Sequence, residues 1–134
     1  MNDELQIRSL MRTDLPELLR LMDGIVTYER GTGFRLTEAE LLRRGFGDRP
    51  EFGVFVADRG DGRLGGMAVH YEIPFMHTLQ PLLMMKWLFV VSDLRSEGVG
   101  WLLMQRIARY ARETGHDKFC WFVLEDNARV QAFY

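Results

Sequence analysis

The chain predicts an α+β fold: a mixed α/β sandwich with a central, mostly antiparallel sheet flanked by helices. Three observations predict it. Two strand-like segments, residues 53–58 and 64–72, are joined by Arg59-Gly60-Asp61-Gly62-Arg63, whose glycines and aspartate suit a hairpin turn. A long apolar run ending at Val91, a helical pattern over residues 99–114 and a second apolar run at 118–124 follow in the order of a strand-helix-strand crossover. Ahead of these lie one short strand and two helical segments, so the whole order is β-α-α-β-β-β-α-β-α, an antiparallel meander closed by a crossover.

Residues 5–10 read as the opening strand. Asp14, with Glu17 three residues on, starts a helix in which Leu15, Leu18, Leu19, Met22 and Ile25 recur at helical spacing toward Tyr28. Thr37 caps a second helix, with Glu40 at the third helical position reaching back to it, and that helix ends near Gly45. The most apolar stretch, residues 81–91, contains Lys86 and falls short of the roughly 20 residues that cross a bilayer, so it reads as a buried strand. A last helix begins at Asn127. There is no internal repeat, low-complexity tract or linker.

With 134 residues, 47% hydrophobic and 27% charged, the chain suffices for one cored domain, residues 1–134, and is too short for two. A formal net charge of -2 argues against a nucleic-acid or anionic-membrane binder, since either needs clustered cationic surface. Cys120 is the single cysteine, so no intrachain disulfide forms, and the first residues carry no apolar signal segment, which makes a cytoplasmic location the default. His70, His77 and His116 lack metal-ligand spacing with one another or with Cys120, so no metal site is expected. Arg106, Arg109 and Arg112, at i, i+3 and i+6, read as the solvated face of their helix.

The functional signal is the turn "RSEGVG", where Gly98 and Gly100 remove side chains as strand passes into helix. A ligand can approach free N–H groups there, at the positive end of the helix dipole, and phosphates suit such a place. The Rossmann pattern requires a third glycine where this chain has Leu103, and a Walker A loop requires Gly-Lys-Ser/Thr, which is absent.

Preceded by "LFVVSD" and followed about thirty residues on by "EDNARVQAFY", the turn resembles that of the GNAT superfamily of acyl-CoA-dependent N-acetyltransferases, with its Arg/Gln-x-x-Gly-x-Gly/Ala form. Within that superfamily "YER…LTEAELLRRGFGDRPEFGVFVAD" together with "FVVSDLRSEGVG" is similar to the spermidine/spermine acetyltransferases and their diamine and thialysine relatives. The resemblance implies acetyl-CoA as co-substrate, with Arg95, Ser96, Glu97, Gly98, Val99, Gly100 and Trp101 forming the pyrophosphate turn. It implies that Leu88, Phe89 and Val90 pair with the pantetheine arm, that Asn127 contacts coenzyme A, and that Tyr134 protonates the leaving thiolate. It also implies that the chain, ending at Tyr134, lacks the last strands of the fold.

Acetyl transfer to an amine needs a base, donors at the carbonyl oxygen and a proton for sulfur. Without the resemblance Phe133 and Tyr134 read as core aromatics; with it Tyr134 is the acid, its phenol pKa of about 10 lying near that of a thiol. Glu29 and Glu72 are the candidate bases, with Glu29 preferred because it matches an acid of the family's substrate region. Cys120, inside "FCWFVL", reads as packing, so no covalent intermediate is expected. Where the polyamine enzymes carry an acidic pair before the pantetheine strand, this chain has Lys86 and Trp87, which fits an acceptor bearing a carboxylate as well as an amine. The expected function is an acetyl-CoA-dependent N-acetyltransferase acting on a small-molecule amine, of amino-acid or diamine type. The rival reading is a truncated, non-catalytic acyl-CoA-binding module. A strand at 118–124 without its outer partner leaves an open edge, which points to a possible homodimer.

Overall fold

The structure, a computed structural model, describes residues 5–29, 37–74, 79–116 and 119–121, with segment 23–29 and residue 121 described through their backbone alone. Five strands, β1 (Gln6–Ser9), β2 (Gly53–Asp58), β3 (Leu64–Ile73), β4 (Leu82–Val90) and β5 (Phe119–Trp121), lie side by side in chain order. The first four pair antiparallel and β5 joins β4 in parallel. Three helices accompany them among the described residues: α1 (Leu15–Glu29), α2 (Glu38–Gly45) and α3 (Val99–Glu113). The expected final helix from Asn127, and the ends of the expected strand at 118–124, lie outside the described residues. No helix among the described residues is long and apolar enough to cross a membrane.

Strand alternation sorts the apolar residues to two faces. Val54 and Val56 of β2 join Met67 and Val69 of β3 beneath Leu15, Leu18, Leu21 and Met22 of α1 and Leu41 of α2. Phe55, Ala57 and Ala68 face the other way, onto Val99, Leu103, Met104, Ile107 and Ala111 of α3. Those α3 positions recur at helical spacing, and Leu103 and Ile107 have no exposed surface. The central strands are therefore buried on both sides, which is why β3 shows little alternation in its sequence.

The start of α1 differs from the sequence expectation. Asp14 ends a short 3-10 turn (Arg12–Asp14), and its carboxylate accepts from the Met11 N–H at 2.7 Å and from the Arg8 guanidinium at 2.7 and 2.9 Å. Arg8 also donates to Asp58 at 3.0 Å, which ties β1, the entry to α1 and β2 together and holds the Asp14 carboxyl below its usual range. Glu17 does not reach back; it accepts from Leu64 N–H at 3.0 Å and from Arg20. In α2 the Thr37 hydroxyl accepts from Glu40 N–H as expected, but the Glu40 carboxylate turns to Arg43 and Arg44.

Arg109 and Arg112 are exposed, whereas Arg106 is half-buried with its guanidinium 4.4 Å from the Phe55 ring centroid, a cation–π contact made possible by its long apolar stem. His116 closes the C-terminal end of α3: its N–H donates to Ala111 carbonyl at 2.8 Å, and its ring sits 2.8 Å from the Thr114 hydroxyl and 2.6 Å from Glu72. Glu72, one of the two candidate bases, is thus engaged as a structural partner of His116.

His70 is buried, its ring 5.3 Å from Phe55 and 4.8 Å from Tyr110. Burial, with lesser repulsion from Arg106 and His116, pushes its pKa down to about 4. The neutral ring then favours the folded state at pH values above the ordinary histidine pKa, and this contribution is lost as pH falls from about 6.5 toward 4. Urea unfolding across that window is expected to show stability dropping by an amount on the order of 2 kcal/mol, and His70→Phe, which cannot titrate, is expected to flatten that part of the profile.

Candidate functional site

The site is built on β4 and the turn that follows it. On one side β4 pairs with β3 along its length; on the other it pairs with β5 only at Leu83↔Phe119, Met84↔Cys120 and Met85↔Trp121. Beyond Met85 that side of β4 has no strand partner among the described residues. A bulge marks the same point: Val69 pairs with Trp87 and His70 with Met85, which leaves Lys86 as the extra residue. The bulge resets the alternation. Leu83 and Met85 face α3 before it, Leu88 and Val90 face α3 after it, and Trp87 and Phe89 turn to the α1 side. Lys86 is exposed, with its ammonium 5.2 Å from the Trp87 ring centroid. Leu88, Phe89 and Val90, the expected pantetheine strand, thus lie on the stretch of β4 past its described pairing with β5.

After β4 the chain makes a 3-10 turn (Ser92–Leu94) that buries Leu94 in the α3 core, then passes through Ser96 (φ 72°) and Gly98 (φ 83°) into α3. Ser96 is the sole non-glycine with positive φ among the described residues, a strained conformation at the point where the turn must fold most tightly. Glu97 N–H donates to Leu94 carbonyl at 3.3 Å and Gly98 carbonyl accepts from Leu102 N–H at 3.0 Å. The N–H groups of Ser96, Gly98, Val99, Gly100 and Trp101 find no backbone acceptor among the described residues. Val99 and Gly100 are buried and root the helix, while Ser96, Glu97, Gly98 and Trp101 are exposed. Amides without such acceptors at the positive end of a 15-residue helix suit a phosphate, and nothing among the described residues lies within 4 Å of a Cβ placed at Gly98. The residues present therefore fit a coenzyme A diphosphate.

Arg95 behaves differently from its neighbours in the turn. Its Nε donates to the Val90 carbonyl at 2.9 Å and its guanidinium lies 5.6 Å from the Phe89 ring centroid, so it folds back along β4. Cys120 is half-buried with its sulfur 3.8 Å from that of Met84, and burial pushes the thiol up, away from thiolate chemistry. Glu29 is the last residue of α1, its side chain outside the described residues, as are Asn127 and Tyr134 altogether. The structure therefore gathers Leu88, Phe89, Val90 and residues 95–101 at one end of β4. The bulge at Lys86 escaped sequence reasoning, because in LLMMKWLFV only the lysine breaks an apolar run. Among the described residues no three His, Cys, Asp or Glu side chains gather in a way that could hold a metal.

This arrangement, a strand leading into a helix start whose amides suit an anion, within a mixed and mostly antiparallel sheet, is a fold that can receive an extended, phosphate-ended ligand. The model described as "Acetyltransferase (GNAT) family" matches residues 15–134, and the chain belongs to that family. The human "Spermidine/spermine N(1)-acetyltransferase-like protein 1" is 31% identical over 119 residues, 84% of this chain; the chain spans 17% of that relative's length. An aminoglycoside acetyltransferase from an uncultured soil metagenomic sample, solved with trehalose, superposes with a TM-score of 0.82 at 21% identity, covering 99% of this chain and 86% of that one. An aminoglycoside N-acetyltransferase solved with CoA superposes with a TM-score of 0.77 at 18% identity, covering 96% and 83%.

Gly98 adopts a left-handed conformation that costs an L-residue about 1–2 kcal/mol, although nothing lies within 4 Å of a Cβ placed there. Gly98→Ala is accordingly expected to lower stability by about 1 kcal/mol in urea unfolding, through backbone strain alone, while Gly98→Asn, which tolerates this conformation, is expected to lose less.

Proposed function

We propose that this chain moves an acetyl group from acetyl-CoA to a primary amine of a small molecule by direct attack. The observation that carries the reading is the set of five turn and helix-start N–H groups without a backbone acceptor among the described residues, directly after β4. The co-substrate supplies an activated thioester carbonyl. The amides of Ser96, Gly98, Val99, Gly100 and Trp101 hold its diphosphate, and the open side of Leu88, Phe89 and Val90 pairs with the amide-bearing arm. A strand N–H near Phe89 or Val90 donates to the carbonyl oxygen as negative charge develops there. Glu29 takes the amine proton through water, and Tyr134 gives its phenolic proton to the sulfur as the C–S bond breaks and the N–C bond forms. Cys120, with its thiol pushed up by burial, offers no nucleophile for a covalent intermediate.

Lys86 argues for the acceptor class. It stands exposed at the bulge of β4, and a cation there attracts a carboxylate and repels a second ammonium. An amino-acid-type acceptor suits this better than a diamine, even though the human relative is named for spermidine and spermine.

Thiol release from acetyl-CoA across a panel of amines tests the transferase reading. Turnover is expected, with Gly100→Val weakening calorimetric CoA binding by about 1–3 kcal/mol, the scale of a lost charge-assisted hydrogen bond. CoA binding without turnover on any amine would instead support a non-catalytic acyl-CoA-binding module. Lys86→Glu is expected to shift the kcat/KM ratio about tenfold toward diamines over amino acids; a wild-type protein that already prefers spermidine would overturn the acceptor assignment.

A further inference from the structure

The hairpin turn between β2 and β3 reaches the 3-10 turn that precedes residues 95–100. Arg59, its first residue, forks onto Asp93 through Nη1 at 3.2 Å and Nη2 at 2.8 Å. The base of that arm is fixed: Arg59 N–H donates to Arg63 carbonyl at 3.0 Å, Gly60 N–H to Asp58 at 2.8 Å and Arg63 N–H to Asp61 at 3.0 Å. Space for the arm comes from Gly65, where an added Cβ would collide with Leu94 and come within 3.2 Å of Arg59 Cγ. The Gly65 carbonyl in turn accepts from Val91 N–H at 2.9 Å. One glycine thus lets the hairpin, the last residue before the 3-10 turn and the Leu94 anchor close on one another.

The electrostatics are as specific as the geometry. Asp93 and Glu97 bracket a turn whose amides, without backbone acceptors among the described residues, suit an anion, and both are carboxylates that would repel one. Asp93 is held below its usual range by Arg59, and the same guanidinium interacts with Asp61 and Glu97. Among the described residues, no other side chain from a different element forks onto the segment 92–98.

We propose that Arg59 is a positioning residue for the coenzyme A diphosphate: through Asp93 it fixes the turn at residues 95–100, and its charge offsets the two carboxylates that flank the turn. The inference rests on the diphosphate reading above and extends it to a residue on a different hairpin, more than thirty residues away in sequence. Arg59 touches no reacting atom. Its effect falls on affinity for the co-substrate, leaving the chemical step to other groups.

Calorimetric CoA titration, steady-state kinetics and amide hydrogen exchange on the full chain test it. Arg59→Ala is expected to weaken CoA binding about five- to tenfold at low ionic strength, narrowing to about twofold at high salt as screening shortens the range of Asp93 and Glu97. KM for acetyl-CoA rises while kcat and the KM of the amine hold, and the amides of residues 96–101 exchange several-fold faster. Arg59→Lys, which keeps the charge without the fork, falls between parent and Arg59→Ala. Adding Asp93→Asn to Arg59→Ala removes an unpaired carboxylate and restores part of the affinity. Unchanged CoA affinity and turn exchange in Arg59→Ala overturn the proposal, as does a loss that neither Arg59→Lys nor the double variant relieves and that follows a lowered unfolding midpoint. If the parent itself binds no CoA, the diphosphate reading fails, and turn exchange in Arg59→Ala still decides whether Arg59 holds the turn.

Discussion

Among the described residues β4 has strand neighbours on both sides at Leu83, Met84 and Met85, and the site is built on the continuation of that strand past its parallel pairing with β5. A strand paired along one side retains backbone donors and acceptors on the other, a ready template for an extended, amide-bearing ligand. The bulge at Lys86 follows directly on the last described pair with β5, Met85↔Trp121. It leaves one residue outside the ladder and raises the local twist. From Trp87 onward the strand is thereby re-aimed: Phe89 joins the α1 core, and Leu88 and Val90 join the α3 core.

The helix start is fixed by packing that needs no ligand. Leu94, Val99, Leu103 and Ile107 share one buried cluster with Phe55 and Ala68, so the first turn of α3 is anchored to the centre of the sheet. Ser96 and Gly98, both left-handed, join this anchor to the end of β4, and strain at Ser96 is tolerated because both flanks are held. An anion meeting these amides finds them already oriented, which limits the ordering cost of binding. Arg95, bonded to the Val90 carbonyl, serves the strand end more than the turn, a role that its place in the motif does not suggest.

What was legible in the sequence was what short-range chemistry decides. The hairpin at 59–63, the cap at Thr37 and the entry into α3 at Val99 each carry their own glycine, aspartate or hydroxyl signal, and the structure has all three. Asp14 and Glu17 satisfied the same spacing rule and still differ from it, because Arg8 and the Leu64 N–H are tertiary partners that a local pattern does not contain. The phase of β4 was hidden for a different reason: a strand buried on both faces is apolar at nearly every position, so a one-residue bulge leaves no mark in its pattern. Arg106 followed the polar face of its helix in sequence, yet its guanidinium lies over the Phe55 ring of β2. Of the expected site, the strand and the turn are placed together, while Tyr134, Asn127 and the Glu29 side chain fall outside the described residues.

A chain with a net charge of -2 can receive a polyanion only locally, and backbone amides at a helix start supply positive potential without altering net charge. On the proposed reading the two ends of the open side of β4 then carry separate tasks. At the Val90 end the dipoles of the turn meet phosphate; at the other end Lys86 meets the acceptor. Four steps of strand lead from Lys86 to Val90, about 13 Å, which exceeds the screening length of about 8 Å at physiological ionic strength. A charge change at Lys86 therefore acts weakly on the diphosphate, and acceptor preference can shift while co-substrate affinity stays put. The rigid sheet between them fixes the spacing. That separation lets one fold keep its co-substrate site while substitutions at a single bulge residue change which amine it serves.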